Sequence, residues 1–190
     1  MVPDQAFNGW VLPVSGGGTT VQTLIETKTL AGVNSTTFAG LNGDTQLLYL
    51  IQGQVLLGGA GGSILKMRPN GANTNIGSSV VGNGSGGGGP FVDSNTDSFI
   101  LHHSTFSPAS QIAFNGYLNA SSTFVTNGAR TFAGTSIVYD ASGPRTFNYQ
   151  ASGAWWVVAA GNNMTSLDVF CSNAGVTMTG SISLYRLSRT

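Results

Sequence analysis

No segment of this chain carries an apolar face at the i, i+3, i+4, i+7 spacing of a helix, while Asn-Gly occurs six times, at Asn8, Asn42, Asn70, Asn83, Asn115 and Asn127. Asn-Gly favours the left-handed backbone of the primed turns that close β-hairpins. Between these pairs, apolar residues come in short runs or in strict alternation, as strands require. Turn signals every 8–12 residues and about eight to ten strands predict an all-β sandwich. Eight strands folded as two Greek keys make a jelly roll, and 190 residues suit one with long loops. The expected fold is a jelly-roll-like antiparallel β-sandwich over residues 19–190, preceded by an extended N-terminal arm over residues 1–18.

The stretch from Thr36 to Gly71 sets the pattern. It reads as a strand entry, a turn at Asn42-Gly43, a strand from Gln46 to Gln52 covered on both faces, a Gly loop, and a strand from Ser63 to Arg68. In the last of these, Leu65 and Met67 share one face and Lys66 and Arg68 the other. Thr19–Leu30 and Ser35–Ala39 precede this stretch as strands, and residues 69–90 read as loop. Further strands are expected at Phe99–Phe106, Gln111–Leu118, Ser122–Thr126, Thr135–Asp140, Thr146–Gln150, Ala154–Ala160, Ser166–Ser172 and Ser181–Leu187. In the arm, Pro3 and Pro13 exclude a regular sheet interior, and Gly16-Gly17-Gly18 supplies a hinge. Phe7, Trp10, Leu12 and Val14 make the arm apolar, so they are the candidate assembly contacts.

Charged residues are only 7 % of the chain, seven basic and seven acidic, where an average soluble domain has about 25 %. The surface is therefore covered by Ser, Thr, Asn, Gln and Gly, with little colloidal repulsion, which suits a subunit of a larger assembly. There is no basic stripe for nucleic acid. No apolar stretch is long enough for a helical membrane span. The N-terminal residues around Asp4 lack the basic and apolar regions of a signal peptide. Asn-x-Ser/Thr triplets begin at Asn34, Asn83, Asn119 and Asn163, as expected by chance in a chain rich in these residues. Cys171 is the single cysteine, and its alternation with Leu167 and Val169 marks it as a buried small apolar residue.

Sites for chemistry are scarce. His102 and His103 are the only histidines, and neighbours on a strand point to opposite faces, so they do not share a metal readily; Asp93 and Asp97 lie just upstream. No Gly-x-Ser-x-Gly elbow exists for a serine hydrolase. Seven acids leave few pairs for glycoside hydrolysis. The tetraglycine at 86–89 has no following Lys-Ser/Thr and reads as a surface loop, not a phosphate cradle. Trp155-Trp156 invites sugar stacking, but on a strand one of the two faces the core. The expectation is a protein without catalytic residues, metal or cofactor.

Two segments resemble the jelly-roll domain of tailed-bacteriophage virion proteins. One is TTFAGL, then LLYLI, then ILKMRPNGANTN; the other is the C-terminal Thr179–Leu187, TGSISLYRL. Pro69 departs from the usual run of the Arg-x-Asn-Gly match. The resemblance implies a non-enzymatic virion structural protein of head-decoration or fibre type. The expected form is a capsid decoration or cement protein, a homotrimer on the head whose partner is the major capsid protein or another virion protein. The alternative is a tail-fibre or receptor-binding module that recognises a host-surface glycan.

Overall fold

The structure is a computed structural model that describes residues 20–43, 48–59, 61–84, 91–95, 97–103, 110–120, 129–140, 145–156 and 163–189. Among them lie twelve strands: β1 Thr20–Val33, β2 Ser35–Ala39, β3 Leu48–Gly59, β4 Leu65–Pro69, β5 Ile76–Gly84, β6 Phe91–Asn95, β7 Phe99–His102, β8 Gln111–Asn119, β9 Ala129–Asp140, β10 Arg145–Trp156, β11 Ser166–Cys171 and β12 Val176–Arg189. They form an eight-stranded sheet, in the order β1-β12-β3-β8-β9-β10-β5-β6, and a four-stranded sheet, in the order β2-β11-β4-β7. All pairings are antiparallel.

The topology is that of a jelly roll with two insertions. Set aside β5-β6 and β9-β10. The remaining eight strands pair first with last, second with seventh, third with sixth and fourth with fifth: β1 with β12, β2 with β11, β3 with β8 and β4 with β7. This is an antiparallel ribbon wound into two Greek keys, with successive pairs alternating between the two sheets. The inserted ribbons add to the free side of β8, which widens one sheet to eight strands and leaves the other at four.

The core follows from the period-two alternation. From the small sheet come Phe38, Leu65, Met67, Leu167, Val169 and Cys171; from the large one, Tyr49, Ile51, Val55, Ile112, Phe114, Phe132, Val138, Met178, Ile182 and Leu184, all buried. Burying each large side chain stabilises by about 1.5–3 kcal/mol, so the two inner faces outweigh any surface ion pair. Cys171 sits in this layer, and burial pushes its thiol up to about 11, which keeps it unreactive.

Several sequence expectations need correction. Residues 69–90 are not all loop, because Ile76–Gly84 forms β5 between β10 and β6. The chain does not leave the sheet at Gln52 but continues as strand to Gly59. Thr146–Gln150 and the start of the AWWVVAA run are one strand, β10, through Gly153. The strand expected at Gln111–Leu118 is present as β8, and the Asn115-Gly116 pair lies in its middle, paired to Thr135 and Gly134 of β9. The strand expected at Ser122–Thr126 lies outside the described residues.

Asn70-Gly71, by contrast, is the turn that the sequence predicts. Asn70 and Gly71 have φ of 51° and 64°, and the Ala72 amide donates to the Pro69 carbonyl at 2.9 Å. Two consecutive left-handed residues are the mark of a type I′ turn. The Asn70 side chain then ties three loops together. Its Oδ1 accepts from the backbone amides of Thr165 and Ser166 at 2.8 and 3.1 Å, and its Nδ2 donates to the Asn163 carbonyl at 2.8 Å. Asn163 in turn donates to Asn42 Oδ1 at 3.0 Å. Asn34 likewise spends its amide on the carbonyls of Asn173 and Val176. Two of the four Asn-x-Ser/Thr asparagines are thus structural donors. Asn70→Ala is expected to lower stability by about 2 kcal/mol, through lost hydrogen bonds and a strained left-handed alanine. Asn70→Gly keeps the turn and should recover part of the loss; urea unfolding of the two variants measures this.

Candidate functional site

The chemistry-bearing side chains of the described residues fall in three places. The first is the outer face of the four-stranded sheet. Lys66 and Arg68 on β4 project there, and Asp97, just before β7, bridges them: Lys66 Nζ to Asp97 Oδ1 at 3.3 Å and Arg68 to Asp97 Oδ2 at 2.9 Å. The Arg68 guanidinium lies over the Phe170 ring at 4.5 Å, and Asp168 accepts from the Thr37 hydroxyl at 2.6 Å. The charges cancel within the cluster, so this face presents no net field to a ligand.

The second place is inside the sandwich. His102, at the end of β7, is fully buried; its Nδ1 is 2.9 Å from the Ser136 hydroxyl on β9, and its ring meets Tyr149 of β10 edge to face at 4.5 Å. Its Nε2 has no hydrogen-bond partner among the described residues. Burial, and next the nearby His103, push its pKa down to about 3, so the ring is neutral. Arg130 on β9 is 1 % exposed, donates from Nε to the Ala120 carbonyl at 3.0 Å, and stacks on Trp155 at 4.8 Å. Trp155 is buried and so is closed to sugar, while the Trp156 side chain lies outside the described ones. No group of three or more His, Cys, Asp or Glu side chains gathers among the described residues.

The third place is the outer face of the eight-stranded sheet, where a trough of about 450 Å³ runs across β12, β3, β8 and β9. Its origin is the pleat: inward Ile182, Val55, Phe114 and Val138 alternate with outward residues that are uncharged and mostly polar, Ala113 and Ile137 being the apolar ones. One cross-strand row reads Thr27, Ser183, Gln52, Asn115, Thr135, Gln150 on β1, β12, β3, β8, β9 and β10. Within it Thr27 and Ser183 hydroxyls lie 2.8 Å apart, and Thr135 donates to Asn115 Oδ1 at 2.9 Å. The next row places Ala113 between Gln54 and Ile137. Ala113 deepens the trough because its side chain is short between the longer Gln54 and Ile137. Tyr185 closes one end, and no charged side chain lines the trough.

The candidate assembly contacts Phe7, Trp10, Leu12 and Val14, and the whole arm 1–18, lie outside the described residues. None of the trough residues was singled out in the sequence. The available signal was the polar parity of two strands, Gln52-x-Gln54 and Ser181-x-Ser183-x-Tyr185. No helix among the described residues is long and apolar enough to cross a membrane. The chain matches no protein-family model and no curated protein sequence.

Proposed function

We propose that this chain is a non-enzymatic structural protein of a tailed-bacteriophage virion, a decoration protein that assembles as a homotrimer on the head and contacts the major capsid protein. The resemblance of Thr36–Asn75 and Thr179–Leu187 to such jelly-roll domains supports this, since these segments form strands of the two Greek keys. The single observation that carries the assembly is β1. This 14-residue strand is the edge of the eight-stranded sheet, bonded to β12 alone among the described strands, and it exposes Val21, Leu24 and Val33. A long edge with apolar side chains pairs with further chain unless it is covered. A symmetric contact between copies covers it.

Light scattering of the full chain at micromolar concentration is expected to give three times the 19.5 kDa chain mass. Val21→Lys with Leu24→Lys should reduce it to the monomer with unchanged circular dichroism, and should abolish binding to undecorated capsids. A stable wild-type monomer that still binds capsids removes the homotrimer; failure to bind capsids removes the decoration role. A second reading, a receptor-binding module of a tail fibre, is favoured by the uncharged trough.

A further inference from the structure

We propose that the trough on the eight-stranded sheet binds a neutral oligosaccharide, with Gln52, Gln54 and Asn115 as the hydrogen-bonding groups and Tyr185 and Ile137 as the apolar contacts. The inference rests on the receptor-binding reading and gives it a site and a ligand class. Three observations select the ligand. The trough is open along its length and crosses four strands, so it suits a chain of repeating units more than a compact metabolite. It is lined by primary amides and hydroxyls, each both donor and acceptor, which match sugar hydroxyls that also do both. It carries no charged side chain, and the nearest described ion pair on β1, Lys28 with Glu26, sits on strand positions of the opposite parity. Phosphorylated or uronic-acid glycans would meet no counter-charge there.

The geometry is also partly preorganised. The Thr135 hydroxyl donates to Asn115 Oδ1 at 2.9 Å, which orients the amide and leaves its Nδ2 donors to a ligand. Along the trough, Gln52 of β3 and Asn115 of β8 are cross-strand partners, about 5 Å apart by sheet geometry, with Gln54 exposed on the same face of β3. That spacing lets successive rings of one glycan engage successive amides. Sugar C–H faces then rest on Tyr185 and on Ile137, which is half exposed.

The test uses the full chain, isotope-labelled, titrated with maltohexaose, cellohexaose, chitohexaose and mannohexaose, and with hexagalacturonate as the anionic probe. At least one neutral probe is expected to bind with Kd of about 0.1–5 mM, in keeping with a shallow open site. Its amide shifts should be confined to the trough stretches of β12, β3, β8 and β9. Gln52→Ala with Asn115→Ala should weaken it about tenfold or more, while Gln22→Ala, on β1 away from the trough, leaves it unchanged. Binding of hexagalacturonate as tight as the best neutral probe, shifts outside the trough, or no binding by any neutral probe overturns the proposal. Binding of the chain to host cells, measured in parallel, separates the two readings: retained cell binding with an empty trough leaves the receptor-binding module standing without this site, and loss of both removes the two together.

Discussion

Acidification from pH 7 to pH 4 is expected to remove about 3 kcal/mol of stability through one side chain, His102. The imidazole is fully buried, and its folded pKa lies near 3 against an ordinary value of 6.5. The sign follows from proton binding. Between these two values the unfolded chain binds a proton that the folded chain does not, so stability rises with pH across the window. The contribution is complete above pH 6.5 and is lost progressively as pH falls toward 3, at about 1.4 kcal/mol per unit. The cause is structural: the ring has Ser136 on one side and Tyr149 edge to face on another, and among the described residues its Nε2 has no hydrogen-bond partner and no carboxylate stands beside it to receive the charge. The measurement is urea unfolding of wild type and His102→Gln at pH 7 and pH 4. The difference between the two proteins' pH dependences isolates His102 from the carboxylates, which titrate equally in both. Equal acid sensitivity of the two proteins contradicts the account.

Gly116→Ala is expected to destabilise the sandwich by about 3 kcal/mol, at the upper end of overpacking costs, and to lower Tm by roughly 6–12 °C for a chain of this size. The Phe132 ring of the neighbouring strand packs against Gly116, and an alanine Cβ would overlap the ring and stand 2.6 Å from Cζ. Phe99 packs against the ring with centroids 5.5 Å apart and opposes its displacement, and a Cβ on Gly134 would also meet Cζ, at 2.8 Å. Phe132→Leu alone should cost about 1–3 kcal/mol as a large-to-small core change. In the double variant the clash is gone, so its loss should fall clearly short of the sum of the two single losses. Additive losses would mean that Gly116 matters for another reason, such as backbone conformation. Thermal unfolding of the four proteins closes the cycle.

These two glycines show why the strand map was only partly legible. Asn115-Gly116 has the composition of a hairpin turn, yet the shared face of Ile112 and Phe114 carries the strand Gln111–Leu118 through it. Its glycine is instead a socket for an aromatic ring contributed from Phe132, sixteen residues on. Gly53 under Phe114 and Gly153 beside Phe99 repeat the device. Local propensity counts such a glycine as a breaker, because the ring that occupies its missing side chain arrives only with the neighbouring strand. The same blindness split β10 at Gly153 and ended β3 at Gln52. Where the alternation is unbroken, as in Leu65-x-Met67, Leu167-x-Val169-x-Cys171 and Ile182-x-Leu184, the inward face was readable and is the face that is buried. Asn70-Gly71 was readable for a related reason: both residues of that turn are specified by their own backbone preferences.

By itself, then, the sequence determined that the chain is built of strands, which parity of each regular strand faces inward, and that its surface is nearly free of charge. These are properties of period and composition, and they need no knowledge of which strands meet. Only the tertiary structure decided that β5-β6 and β9-β10 extend one sheet of a jelly roll, that His102 is buried with no counter-charge among the described residues, and that Gln52, Asn115 and Thr135 stand in one row beside Ala113. Each of these depends on register between strands distant in the chain, and register is set by the packing of whole faces against each other, because a slip of one residue turns every inward side chain out.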